Sequence, residues 1–388
     1  MTIHSGISSQ LRERAAPAAD LAAHVGRGVQ RILTDATLGR MRSMPRTPAE
    51  LDAPALSRIM GRTVTTVTVI GGDAGTSSRA RLALTGPDVP ATVFVKLPAA
   101  DAATRLMGEL GRLGHTEVRF YEQLAPELSA VPVCHGSAFD ALTGRYVLVL
   151  EDLPSTCEFP DTLHPLDRDR AALIVERLAA LHATFWDRLP DTGGGPLGWV
   201  YSASEDSTSH LTGMLLRTSA RRIAGRTDIP VHRGRFIDEN YRAVARLIDR
   251  PPHTVMHGDA HPGNVYFRDG AAGLLDWQAV RRGHPGRELA YTLVTSMTAD
   301  DRRLHQRELL EHYRSTLRAH RGPALDGDDL WHRYRQGALY AYVAALITAG
   351  MGGMQDEDIA LEGLRRAVAA LEDLDTVAVL RSGLDQHL

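Results

Sequence analysis

Residues 254–278 read TVMHGDAHPGNVYFRDGAAGLLDWQ, a β-rich island in the largely helical second half of the chain. His257, Asp259, His261, Asn264 and Asp276 all fall within it. Two apolar runs, Val265-Tyr266-Phe267 and Gly273-Leu274-Leu275, flank Arg268-Asp269-Gly270 and predict a hairpin. In such a hairpin Asn264 and Asp276 lie at the same open end, and Asp259 sits on the loop just before it. An amide oxygen and a carboxylate are hard ligands that suit magnesium, with phosphate oxygens and water completing the octahedron. Asp259 is then left to accept a proton from an attacking hydroxyl.

Upstream of the island the first 153 residues predict a helix, five strands and one inserted helix, an α+β lobe. Thr47-Pro48-Ala49-Glu50 has the form of a capping box opening a short helix to Met60, which Gly61 ends. Residues 64–84 predict a hairpin whose tip is the polar run Gly71-Gly72-Asp73-Ala74-Gly75-Thr76-Ser77. The strand ATVFVKLP (91–98) follows, and it carries Lys96, the one lysine of a chain with 44 Lys and Arg together. Lysine is a compact point charge where arginine is a broad planar fork, so a slot beside phosphate oxygens would select it. On the predicted helix 115–128, Glu117, Phe120, Tyr121 and Leu124 share one face by i, i+3, i+4, i+7 spacing. Glu117 is thus a carboxylate on an apolar face and requires a partner. Two further strands are predicted near 131–139 and 145–151.

Beyond residue 153 the pattern is mainly helical, with helices near 167–189, 206–224, 234–249, 284–298, 301–320, 326–350 and 356–372. The domain organisation expected is a helical extension (1–46), a first lobe (47–150), a hinge (151–154) and a second lobe (155–388).

Composition narrows the function. The chain has 388 residues, 43% hydrophobic and 23% charged, with a net charge of −3. That balance is ordinary for a soluble globular enzyme, and it lacks the basic field of a nucleic-acid binder. No run of 18 apolar residues predicts a membrane span, and the first residues do not have the form of a secretory signal. Two cysteines, Cys134 and Cys157, are too few for a disulfide framework or a cysteine zinc site. The expected location is cytoplasmic.

HGDAHPGN followed by LLDWQ resembles the phosphotransferase superfamily with a protein-kinase-like fold, which includes aminoglycoside phosphotransferases and choline kinases. With GHPGRELAY (283–291), the motif is most similar to the ecdysteroid-kinase-like branch. The resemblance covers roughly residues 50–320. It implies a bilobal α+β fold and ATP-dependent, magnesium-dependent transfer of a γ-phosphoryl group to a small-molecule hydroxyl, with GTP as an alternative donor. It implies that Asp259 is the catalytic base, that Asn264 and Asp276 bind magnesium, and that His257 braces the loop. Lys96, paired with Glu117, would hold the α- and β-phosphates. Gly72, Gly75, Thr76 and Ser77 would cover the phosphates, and the Glu151 carbonyl and Leu153 amide would bind adenine at the hinge. Glu288 stands where the family has Asp, which puts the bracing of the catalytic loop in question.

Other readings remain at this point. An antibiotic phosphotransferase would need an acidic pocket for a polycationic acceptor, and Ser202-Ala203-Ser204-Glu205-Asp206 and the Asp326–Asp329 cluster are candidates for it. His257, Asp259, His261 and Asp276 could instead form a transition-metal hydrolase centre. That reading leaves Lys96, the glycine turn and Asn264 without roles. A non-catalytic nucleotide-binding pseudokinase is the third.

Overall fold

The computed structural model describes residues 3–75, 77–190, 194–353 and 355–386, and the chain divides into two compact units. Residues 1–122 and 132–153 form the first, and residues 123–131 and 154–388 the second. The segment 123–131, read above as part of the first lobe, therefore goes with the second unit.

The first unit contains α1 (Ile3–Leu38), α2 (Ala53–Met60), β1 (Thr66–Ala74), β2 (Ser77–Thr85), β3 (Thr92–Pro98), α3 (Ala102–Leu110), α4 (Leu113–Gln123), β4 (Cys134–Phe139) and β5 (Tyr146–Glu151). Its five strands make one antiparallel sheet in the order β1-β2-β3-β5-β4. Val93, Val95 and Leu97 of β3 alternate onto a dry core with Leu82, Val147 and Val149, and α2 adds Leu56 to it. Period-2 alternation thus sends Lys96 to the opposite side of β3 from that core. The capping box does not form. Thr47 makes no side-chain cap, and Glu50 instead accepts the Arg46 amide at 2.8 Å. Asp52 caps α2 by accepting from the Ala55 amide, and Gly61 closes it in the left-handed conformation. α3 was not expected; Asp101 caps it through the Thr104 amide.

α1 is longer than the spacing over 18–36 predicts. Its Asp35 is buried between two arginines, 2.5 Å from Arg105 Nη1 and 2.5 Å from Arg145 Nε. Burial opposes the charge of Asp35, but the two guanidinium groups outweigh it and bring the carboxyl down to about 2.

The second unit contains α5 (Arg168–Thr184), α6 (Ser209–Ile223), α7 (Arg235–Ile248), β6 (Thr254–Met256), β7 (Val265–Arg268), β8 (Ala271–Leu274), β9 (Arg281–Gly283), α8 (Pro285–Ser296), α9 (Ala299–Ala319), α10 (Gly327–Gly337), α11 (Leu339–Met351), α12 (Glu357–Asp373) and α13 (Thr376–Asp385). The expected hairpin is β7–β8, pairing Val265 with Leu274. β6 pairs separately with β9. The helix predicted over 326–350 is two helices, α10 and α11. At the end of α10 a Cβ on Gly337 would come within 2.7 Å of Arg287 Cα, so only glycine permits α8 to pack so closely there.

One buried acid in this unit carries a pH-dependent cost. Asp238 on α7 is buried; its Oδ2 accepts from Tyr342 at 3.3 Å, and its Oδ1 has no partner among the described residues. Burial pushes its carboxyl up to about 6, and the Tyr342 hydrogen bond offsets only part of that. An acid with a raised folded pKa binds its proton more tightly in the folded state, so stability falls as pH rises from about 4 through 6. Asp238→Asn is therefore expected to gain roughly 1–2 kcal/mol at pH 7.5, after allowance for partial solvent screening. Urea unfolding would show that gain shrinking as pH falls towards 4. A gain that grows in acid would contradict the assignment.

Candidate active site

The loop after β6 is shaped by Gly258, whose φ is +86° and where a Cβ would lie 2.0 Å from the Ala279 carbonyl oxygen. Glycine alone satisfies both conditions. Glu288, in the first turn of α8, grips this loop by its backbone. Its Oε1 accepts the Gly258 amide at 2.6 Å and its Oε2 the His257 amide at 3.1 Å. Oε2 also lies 2.8 Å from His182 Nε2, and His182 Nδ1 lies 2.9 Å from the Tyr313 hydroxyl. Burial works against the charge of Glu288, but His182 and these amides outweigh it and hold the carboxyl below its usual range. The longer side chain in the place of Asp therefore still braces the loop.

His257 is fully buried against Trp277, with ring centroids 4.4 Å apart. Its Nε2 donates to the Leu275 carbonyl at 2.8 Å, and its Nδ1 accepts the Asp259 amide at 3.2 Å. One nitrogen donates and the other accepts, so the ring is neutral, and burial lowers its pKa. With both nitrogens committed, His257 cannot ligate a metal. His261 caps the next turn, its Nδ1 accepting from the Gly263 amide. Among the described residues no three His, Cys, Asp or Glu side chains converge to hold a metal. The hydrolase centre read from His257, Asp259, His261 and Asp276 is thereby corrected: its histidines organise the loop.

Asp259 is positioned by two donors. The Tyr291 hydroxyl, one turn beyond Glu288 on α8, donates to Oδ1 at 2.5 Å. Asn264 Nδ2 donates to the Asp259 carbonyl at 2.9 Å and to Oδ2 at 3.2 Å. The Asp259 side chain remains 31% exposed, open to a reactant. Because the Asn264 nitrogen is spent on Asp259, its amide oxygen is the atom that suits a cation.

The hairpin brings the two expected metal ligands to one end. The Leu275 amide donates to the Asn264 carbonyl at 2.8 Å, and Asp276 is the next residue. Asp276 takes the left-handed conformation at φ 57°, ψ 66°, which is uncommon for a side-chain-bearing residue and recurs at functional sites. An amide oxygen and a carboxylate give two hard protein ligands, the number magnesium takes when it keeps several waters.

In the first unit, Lys96 Nζ lies 2.7 Å from Glu117 Oε1 and 2.7 Å from Oε2, with the side chains 4% and 1% exposed. Glu117, Phe120, Tyr121 and Leu124 are all buried and Glu122 is exposed, as the helical spacing predicts. The glycine turn is shorter than expected. Gly72 lies within β1 opposite Ala80, where a Cβ would come within 2.6 Å of the Arg79 carbonyl oxygen. Close strand packing explains that glycine without any phosphate. Gly75 is in the turn, its amide donating to the carbonyl of Ser77, which opens β2 and is buried. Thr76 lies outside the described residues. Glu151 ends β5, with its side chain accepting from the Val133 amide at 3.1 Å, and Leu153 is the last residue of the first unit.

The acidic stretches considered for a polycationic acceptor have structural roles. Glu205 accepts from Arg282 at 2.6 Å and from the Ser202 amide at 2.7 Å. Asp326 caps α10 through the Asp328 and Asp329 amides. Sequence reasoning missed Tyr291 and His182. Tyr291 was findable, since it stands three residues after Glu288 on a helix and so shares its face. His182 has no local signal.

The model of the phosphotransferase enzyme family matches residues 67–336. No curated protein sequence matches the chain. Among solved structures, the chain is similar to an ethanolamine kinase from Plasmodium vivax at TM-score 0.50 and 15% identity, over 82% of this chain and 83% of that one. It is also similar to the choline kinase LicA from Streptococcus pneumoniae (TM-score 0.45, 16% identity, 80% and 94% covered). A macrolide 2'-phosphotransferase from Brachybacterium faecium gives 0.43 and 16%, with 81% and 96% covered.

Proposed function

The chain belongs to the phosphotransferase enzyme family, and from that premise we propose that it transfers the γ-phosphoryl group of ATP, or alternatively GTP, to a hydroxyl of a small molecule. The observation that carries this reading is the bracing of Asp259, whose carboxylate is oriented by Tyr291 and Asn264 on a loop gripped by Glu288. Asp259 takes the proton of the acceptor hydroxyl as its oxygen bonds to the γ-phosphorus. The bond from that phosphorus to the β–γ bridging oxygen breaks, and its electron pair leaves with the nucleoside diphosphate. Asn264 and Asp276 would hold magnesium, which when bound neutralises charge on the phosphate oxygens. Lys96, held by Glu117, would pair with the α- and β-phosphates, and Gly75 with its neighbours would cover them. Glu151 and Leu153 would meet the adenine through their backbone atoms.

No helix among the described residues is long and apolar enough to cross a membrane. The composition and the net charge of −3 support reading it as a cytoplasmic enzyme with a small-molecule acceptor and no nucleic-acid partner.

The test is release of nucleoside diphosphate by the purified chain across aminoglycosides, macrolides, amino alcohols, polyols, sugars and hydroxy acids. Acceptor-dependent release is expected, lost on chelation and restored by magnesium. Turnover that survives chelation would overturn the magnesium assignment. Nucleotide binding without turnover on any acceptor would favour the pseudokinase reading.

A further inference from the structure

A cavity of about 110 Å³ lies beside Asp259, wholly within the second unit. Its wall includes Met256, Asp259, Arg287, Tyr291, Tyr340 and Val343. Drug-sized ligands occupy pockets of roughly 300–1,000 Å³, so this cavity takes the reacting end of an acceptor and not a whole macrocycle.

Two features of the wall have no part in bracing the loop. Tyr340 is 8% exposed, and its buried hydroxyl has no hydrogen-bond partner among the described residues. A buried donor left unmatched is destabilising, and a ligand oxygen would relieve it. The second feature is Arg287, whose guanidinium carbon lies 3.3 Å from the centroid of the Tyr340 ring. That aromatic face is thus already taken by a cation. An arriving ammonium group would meet the charge of Arg287 and find the ring face covered. The carboxylates of the wall already hold donors: Asp259 those of Tyr291 and Asn264, Glu288 those of His182 and two backbone amides. Arg287 itself lies 3.5 Å from Asp249.

We propose that this cavity seats an acceptor whose reacting hydroxyl is accompanied by an oxygen hydrogen-bond acceptor within reach of Tyr340, a small polyol or hydroxy acid, and not one that presents an ammonium group. The inference rests on the phosphotransfer reading and narrows it.

The test uses the full chain with ATP and magnesium and two arms of acceptors, glycerol and glycerate against ethanolamine and choline. The expected kcat/KM is at least about tenfold higher in the oxygen arm, the ratio that one well-made hydrogen bond to a buried donor supports. Tyr340→Phe is expected to raise KM for the preferred acceptor about tenfold, with the loss in KM and not in kcat. Arg287→Gln is expected to raise turnover of the ammonium arm. Preference of the wild-type chain for the ammonium arm, or an unchanged KM in Tyr340→Phe, overturns the inference and leaves phosphotransfer standing. Absence of turnover in both arms also overturns it. If ATP then fails to shift the Tm of the chain as well, the phosphotransfer reading falls with it.

Discussion

Asp259→Asn is expected to lower acceptor-dependent turnover by about 10²–10⁴-fold, the usual contribution of a positioned general base. The substitution keeps the size and shape of the side chain and removes its ability to take a proton. Tyr291 can still donate to the remaining oxygen, and Asn264 keeps its bond to the Asp259 carbonyl. Only the contact between Asn264 Nδ2 and the former Oδ2 becomes donor against donor. The side chain is partly exposed, so stability should change by no more than about 0.5 kcal/mol. Turnover and urea unfolding measured on the same preparations separate the two effects. Wild-type turnover in Asp259→Asn would show that another group accepts the proton. A collapse of stability would show that Asp259 is a structural residue of the loop.

The two halves of this machinery were legible to different degrees. The hairpin that aligns Asn264 and Asp276 is written locally: two short apolar runs around Asp269-Gly270, with polar residues at the open end. Glu117 was legible because helical spacing put a carboxylate on an apolar face, and such a residue must find a cation. The network behind the loop was not legible. His182 reaches Glu288 across 106 residues of sequence, and Tyr340 reaches Arg287 from a different helix. No local pattern encodes such contacts, because tertiary packing alone creates them. At Gly72 two demands meet: its neighbours read as a phosphate loop, and the approach of the Arg79 carbonyl calls for glycine by strand packing alone. The capping box at Thr47 failed: Asp52 offered a better cap for α2, and Glu50 turned back to Arg46. Local signals name what a residue can do, and competition among neighbours decides which of those things it does.

Lys96→Arg is expected to lower turnover about 10²-fold, the scale of losing one preorganised charged contact. The variant keeps the positive charge, so what it tests is shape. Lys96 is the single lysine of the chain and lies in a nearly dry slot, its ammonium 2.7 Å from each Glu117 oxygen. A guanidinium there is wider and flat, and its fork matches a carboxylate in two parallel hydrogen bonds. It would satisfy Glu117 fully and turn its charge away from any phosphate. Because the buried carboxylate keeps a cationic partner, folding should survive. Lys96→Met, by contrast, strands Glu117 without a cation and is expected to cost about 3–5 kcal/mol. Comparing the two variants by turnover and by urea unfolding separates phosphate binding from the stability of the pair. If Lys96→Arg turned over like the wild type, the slot would need only positive charge, and the lone lysine would be an accident of an arginine-rich composition. If it lost turnover while ATP protected it from heat as well as it protects the wild type, the lysine would act after binding, on the charge that develops as the γ-phosphoryl group leaves.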